Sequence, residues 1–555
     1  MSGRQVETFA RGLGVNDPDT LITEINKQNA WIFAHRPLDC SELIATWNLS
    51  GQLGTRLQQH EANIKAKLKD DPDRPDSGDL TDDRARLGAE RLALALALTR
   101  TLTIRSPEQA LDVDRAEGVL DSKYVLKNWS DKERKTLLRR ALFDPATYGR
   151  VRFHHRSVQE YLAACRLKNL RERGMPIKAL LRLFFAEQYG ASVVIPSMRV
   201  IAAWLALWEE SVRRELMARE PETLLSFGDP GSLPVTTRSD PLKSFVSTYR
   251  EGGWRGLNIP ISEVKRLAHP DLAAAVRKCW GDGPTNDDVR ELLLELIWQG
   301  AIGACADIAE RSAWTEEYSP SHRAIAVRAV IVCGCLDIAR KIADSMLSEH
   351  KRWPYEVIHG IALDLFPTII TTNELVALAE QTPVPKSDVG GFEDILKKIA
   401  ATIEPWSDEG VGLRKGLADL IWNGRSEILE WYRVMGRYDY ASPALALLCD
   451  RQLAEPRAED DTDLIRAAII AYHFRGDGGM SRDPKNKLES HFRENLALRE
   501  KAFWMEIEIM EELIPKDILL DRAFPYGGKR FIGYPTEADR KWLESTLRKS
   551  EQTSK

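Results

Sequence analysis

No Gly-x-x-x-x-Gly-Lys-[Ser/Thr] occurs in the 555 residues. Without that backbone nest and its lysine a P-loop enzyme has no phosphate cradle, so the chain is not expected to be an ATPase by itself. Cysteine is sparse: Cys40, Cys165, Cys279, Cys305, Cys333, Cys335 and Cys449 are odd in number and form no Cys-x-x-Cys pair. That disfavours a disulfide framework and a zinc site, and it fits a reducing cytoplasm. No apolar run is long enough to cross a bilayer, and Met-Ser-Gly-Arg-Gln offers no apolar signal core, which argues against membrane spanning and secretion. A formal charge of −5 is too small for a protein that coats nucleic acid, which is not an expected partner. Hydrolase signatures are missing as well. His60-Glu-Ala-Asn-Ile lacks the second histidine of a metalloprotease helix, and no Gly-x-Ser-x-Gly elbow is present. Asp388 with Glu393 to Lys397 reads as an amphipathic surface helix rather than a nuclease site.

What is present is material for sizeable cores, 43% apolar and 29% charged, in a chain long enough for two to four domains or a repeat array. Residues 1–68 alternate helical patterns with turn signals, and Asp17 before Pro18 suits a helix start. Residues 69–83 hold two prolines, a glycine and seven aspartates, so they form an exposed acidic loop and a boundary. Thr81 or Asp82 caps a leucine- and alanine-rich helix, and Ser130 with Glu133 makes a capping box before Leu137, Leu138 and Leu142. A turn within Phe143 to Phe153, flanked by β-prone residues, and a helix over Ser157 to Asn169 complete a winged-helix pattern across 84–170.

From about 176 onward the pattern is helix after helix with no sustained strand. Residues 171–285 read as a helical connector and 286–555 as a HEAT-like α-solenoid. Arg290 to Gly300 aligns with Ala324 to Gly334 at an offset of 34, matching Leu293 with Val327, Leu296 with Val330, Ile297 with Ile331 and the two glycines. The helices that follow, Ile302 to Ala309 and Leu336 to Ala343, keep the same offset. Each pair then buries its apolar face only against its neighbours. Trp204 and Trp208, four residues apart, suit packing on one helix face. Phe524 to Pro535 combines a Gly-Gly bend with aromatic and basic residues and suits either a binding loop or an edge hairpin.

The richest passage is Val151-Arg-Phe-His-His-Arg-Ser-Val-Gln-Glu-Tyr-Leu-Ala-Ala164. Phe153, His155, Ser157, Glu160, Tyr161, Leu162, Ala163 and Ala164 match the Phe-x-His-x-Ser-x-x-Glu-Tyr-Leu-Ala-Ala segment of NACHT-type STAND NTPases, which the chain resembles from Met1 to about Leu170. The resemblance implies that His155 approaches the β-phosphate of ADP in a resting state. It also implies that Pro37, with Leu38, starts the lid helix and packs on adenine. ADP or ATP would be held only in a protein that includes an upstream NTPase core, and this chain alone would bind neither tightly. The expected role is the regulatory and sensor part of such a switch in prokaryotic antiviral defence. A protein trigger would bind the solenoid, the winged helix would relay the event, and homo-oligomerisation would accompany activation. Two other readings compete. One is a stand-alone α-solenoid scaffold. The other is a winged-helix DNA-binding regulator using the basic cluster Arg150, Arg152, His154, His155 and Arg156, ranked lower because no recognition helix with exposed basic residues stands out.

Overall fold

The computed structural model describes residues 1–28, 30–69, 80–107, 118–253, 259, 261–381, 391–425, 436–474, 483–513 and 536–553. Most of the acidic stretch 69–83, Asp388, and Phe524 to Pro535 lie outside the described residues. The chain is mostly helical and divides into two compact units, Met1–Asp307 and Ile308–Lys555. No helix among the described residues is long and apolar enough to cross a membrane.

The first unit opens with α1 (Gly3–Gly12), α2 (Pro18–Lys27), α3 (Trp31–Ala34), α4 (Pro37–Ser50) and α5 (Arg56–Leu68). Their starts follow local chemistry. Ser2, Asp17 and Thr55 each accept the backbone N–H three residues on, and Pro18 and Pro37 occupy first-turn positions where a missing N–H breaks no helical bond. Next come α6 (Asp82–Thr99), β1 (Thr103–Arg105), β2 (Val119–Asp121), α7 (Ser122–Val125), α8 (Asp131–Arg139), β3 (Phe143–Ala146), β4 (Arg150–Phe153) and α9 (Arg156–Glu172). Thr81, not Asp82, caps α6, while Ser130 and Glu133 form the capping box of α8.

The sequence suggests one hairpin here, but the structure holds a four-stranded sheet in the order β2-β1-β4-β3. β3 and β4 pair antiparallel with Phe143 opposite Phe153 and Asp144 opposite Arg152, whereas β1 and β2 pair parallel. β1 and β2 are three residues each, too short for an alternation of period two to register. A second hairpin, β5 (Phe185–Gln188) with β6 (Ala191–Val194), interrupts the region read as continuous helix. Its tip is Tyr189-Gly190, both at positive φ.

Small residues set the centre of this unit. Ala85, Gly88, Ala89 and Ala93 on α6 and Ala163 and Ala164 on α9 are all buried, and the two helices pack on each other. Gly88 leaves no room for a side chain, since a Cβ would lie 2.5 Å from the Trp129 ring and 2.7 Å from Leu137.

Later helices pack in alternation, each against the helix two positions on. In the first unit this holds for Glu210–Arg219, Glu222–Ser226, Val235–Tyr249, Ile261–Leu267, Ala273–Gly281 and Asp287–Gln299. In the second it runs from Pro320–Val332 to Leu496–Leu513. Such alternation is how helix pairs stack in a solenoid. It begins well before residue 286, so much of 171–285 belongs to the stacked helices rather than to a connector.

The repeat register also needs correction. Helices Asp287–Gln299 and Pro320–Val332 correspond at an offset of 33, not 34. At 33, buried Val289, Leu292, Leu293, Leu294, Leu296 and Ile297 fall on His322, Ile325, Ala326, Val327, Ala329 and Val330, which are buried too. The second helices keep 34: Ile308, Ala309 and Ser312 match Ile342, Ala343 and Met346. Aligning the glycines misleads because they do different work. Gly334 takes the left-handed conformation at φ 78 in open space. Gly300 has φ −93, and it is glycine because a Cβ would sit 2.9 Å from the Leu296 carbonyl and 3.0 Å from the His269 amide. Ala301 adopts the left-handed turn instead, at φ 45.

This predicts an inversion of the usual cap rule. Gly300→Ala should destabilise by about 1–3 kcal/mol through overpacking. Ala301→Gly should stabilise by up to about 1 kcal/mol by relieving left-handed strain. Urea midpoints of the two variants check both signs.

Candidate functional site

Helix α4 begins at Pro37, which places Asp39 in its first turn and turned inward, while α5 brings Lys67 from its last turn. Both side chains have no exposure, and Lys67 Nζ lies 2.7 Å from Asp39 Oδ1. Asn63 Nδ2 donates to the same oxygen at 3.2 Å, and Lys67 also reaches Glu42 at 3.4 Å. From the other direction the β4–α9 junction delivers two adjacent histidines. His154 Nε2 is 2.7 Å and His155 Nε2 3.0 Å from Asp39 Oδ2. Arg36 approaches His154 Nδ1 at 2.7 Å. A guanidinium can only donate, so that nitrogen accepts and Nε2–H points to Asp39.

Burial by itself raises the Asp39 carboxyl. The hydrogen bonds from His154, His155 and Lys67, with the Lys67 charge, outweigh it and hold the group well below the usual carboxylate range. Asp39 thus ties α4, α5 and the β4–α9 junction into one polar knot. Asp39, His154 and His155 are metal-ligand types, with donor atoms within 4.8 Å of one another. They do not fit a cation, however, because Lys67 already neutralises the carboxylate and Arg36 holds the outer nitrogen of His154.

Sequence reasoning singled out Pro37 and His155, which lie far apart in the chain. The structure brings His155 into this knot, and Pro37 starts the helix that carries Asp39. Pro37 is exposed at the first position of α4, and His155 is buried at the N-cap of α9. His155 does not face an open cleft; its Nε2 is taken by Asp39. A phosphate could engage it only in place of that carboxylate, so these residues alone do not make a nucleotide cradle. Asp39 and Lys67 were not identified from sequence, and His154 entered only through the basic cluster of the DNA-binding reading. A lone aspartate and lysine in two separate helices carry no signal of pairing until the helices are packed.

The remaining motif residues build the wall behind His155. Phe33 sits edge-on to His155 at 5.7 Å and to His60 at 5.4 Å. His60 lies 5.1 Å from Trp204, which meets Tyr161 at 4.9 Å. The Tyr161 hydroxyl donates to Glu61, which Arg86 clamps through two bonds of 2.6 and 2.8 Å. Burial raises the Glu61 carboxyl, but Arg86 and Tyr161 more than offset it and leave it below its ordinary range. Phe153 stacks on Phe143 at 4.7 Å, and Leu162, Ala163 and Ala164 are core. Glu160 is raised by burial despite Arg156 beside it. The Ser157 hydroxyl is buried with no hydrogen-bond partner among the described residues. Cys165 is buried and its thiol is pushed up to about 12 by burial, which makes it a packing residue.

Comparisons of this chain with protein-family models, curated proteins and solved structures find no match.

Two measurements test the site. Asp39→Ala strands a buried lysine and two histidines and should cost on the order of 3–5 kcal/mol in unfolding free energy, far more than Pro37→Ala. Acid sensitivity supplies the second. Burial, helped by the Arg56 charge, lowers His60 to about 3 from an ordinary 6.5. A depressed folded value means that this contribution is complete above 6.5 and is lost as pH falls from 6.5 towards 3. Asp39, also depressed, is lost only below the ordinary carboxylate value of 3.8. His60→Leu should therefore flatten the fall in stability between about pH 6.5 and 4 and leave the steeper loss below it, as read from melting temperatures across that range.

Proposed function

We propose that this chain is the regulatory and sensor part of a STAND-type signalling NTPase, with the winged-helix-like module of α6–α9 acting as the relay. One observation carries the reading. His155 bonds Asp39, which lies two residues after Pro37 in the first turn of α4, so the two positions that the family resemblance links to a nucleotide, remote in sequence, stand on the two elements this bond joins. In this reading Asp39 is the anion that His155 holds when no phosphate competes. A nucleotide bound by an upstream core would take His155 from Asp39 and loosen the α4–α9 contact. The switch then shifts only by the difference in affinity for the two arrangements.

The stacked helices supply the sensor. A polar cleft of about 610 Å³ lies between Thr372–Gln381 and Asp408–Asn423, and Glu380, Asp419, Arg425 and Arg437 are among its lining residues. Mixed charges in a groove suit a segment of a protein trigger, in a cytoplasmic setting.

The isolated chain should show no ATP turnover and no ADP binding in the micromolar range by calorimetry; turnover abolished by His155→Ala would sink the reading. Joined to a P-loop core, His155→Ala should speed ADP release about ten- to a hundredfold, the equivalent of one charge-assisted hydrogen bond of roughly 1.5–3 kcal/mol. Unchanged release would reduce His155 to a structural residue.

A further inference from the structure

The fold divides the cysteines into two kinds. Cys40, Cys165, Cys279, Cys305 and Cys449 are buried, whereas Cys333 and Cys335 are half-buried and flank a single glycine between helices Pro320–Val332 and Leu336–Ser348. Gly334 takes the left-handed conformation at φ 78, which glycine enters without steric cost. Its N–H donates to the Ile331 carbonyl at 3.0 Å, and the Cys335 N–H donates to that of Val330 at 3.2 Å, the pair of bonds that closes a helix end. The chain doubles back here, and Cys335 Sγ lies 4.0 Å from the Cys333 carbonyl oxygen.

This turn does not require sulfur. Gly300, Ala301 and Ile302, its counterparts at the offset of 33, follow the same path, with φ of −93, 45 and −78 against −71, 78 and −83 for Cys333, Gly334 and Cys335. The closing bonds recur as well, from Ala301 to Trp298 at 3.2 Å and from Ile302 to Ile297 at 3.0 Å. There the third residue is a fully buried isoleucine, whereas Cys335 keeps access to solvent. Neither the backbone nor the core therefore accounts for a cysteine on each side of Gly334. Two steps of about 3.8 Å bent at a left-handed residue set the Cα atoms about 5.5 Å apart, within the roughly 4.4–6.8 Å that a disulfide spans. The two sites also differ electrically. Cys335 is the N-cap of Leu336–Ser348, whose positive end favours negative charge on sulfur, while Cys333 closes the negative end of Pro320–Val332.

We propose that Cys333 and Cys335 form a thiol–disulfide exchange site for low-molecular-weight disulfides. The Cys335 thiolate attacks one sulfur of such a disulfide, making a mixed disulfide and releasing one small thiolate, which takes up the proton that Cys335 lost. Cys333 then gives up its proton and attacks the Cys335 sulfur. The Cys333–Cys335 bond closes, the bond between Cys335 and the small group breaks, and the second small thiol departs with that proton. Each cysteine loses one electron, and the small disulfide gains both as it becomes two thiols. So small a ring holds its bond under strain, and strained disulfides within reach of solvent are the readily reduced ones, so an excess of small thiol runs the sequence backwards. The inference does not rest on the switch reading, and either can fail alone.

The experiment treats the folded full chain with oxidised glutathione, quenches it in acid, and follows the tryptic peptide Ala329–Arg340, which carries both of these cysteines and no other, by mass spectrometry. The expected result is a peptide that has lost two hydrogens and carries no glutathione, restored to the dithiol by excess reduced glutathione. Cys333→Ser should stop at a glutathione adduct on Cys335, and Cys335→Ser should react at least about tenfold more slowly than Cys333→Ser. The five buried cysteines should react at least about tenfold more slowly than the pair while the chain is folded. Circular dichroism should be the same for both variants and the unaltered chain. The proposal is overturned if the pair stays reduced in excess oxidised glutathione, if the unaltered chain accumulates glutathione adducts without closing the ring, if Cys335→Ser reacts as fast as Cys333→Ser, or if the buried cysteines react as fast as the pair.

Discussion

Asp39 is a carboxylate with no exposure, and the packing of the chain from α1 to α9 depends on how its charge is met. Lys67 answers it from α5, and His154 and His155 answer it from the turn into α9. A lone buried carboxylate would cost several kcal/mol. With Asn63 and these three cationic or donor groups around it, that cost becomes a constraint, because the carboxylate is tolerated only when three separate elements arrive together. The helices before residue 68 are thereby committed to one orientation against the sheet and α9. Apolar contact alone would specify that orientation less strictly.

Behind the polar knot, the row His155, Phe33, His60, Trp204 and Tyr161 carries the same geometry into the apolar interior and ends on the Tyr161–Glu61–Arg86 clamp. Each member of the row is packed on the next. Burial within the row, with the Arg56 charge beside it, is what depresses His60.

Much of the architecture was legible in the residues. Helix starts at Ser130 and Asp17, the turn before Arg150 and the long run of paired helices all follow from caps, breakers and period 3.6, which act over four or five residues. The repeat was visible too, but its register was one residue out in the first helix. Aligning the two glycines set that register, yet Gly300 serves close packing and Ala301 makes the left-handed turn. The three-residue strands β1 and β2 and the hairpin tipped by Tyr189 were missed, because strands so short are stabilised by partners and packing that the local pattern does not record.

The sequence by itself determined a helical chain with no P-loop, the positions of most helix ends and the motif around His155, since all of these are properties of neighbouring residues. Only the tertiary structure decided what His155 touches, that Asp39 is buried beside it, and that Lys67 is the counter-ion of Asp39. Electrostatic pairing depends on distances of about 3 Å between groups remote in the chain, and that proximity exists only once the helices are packed.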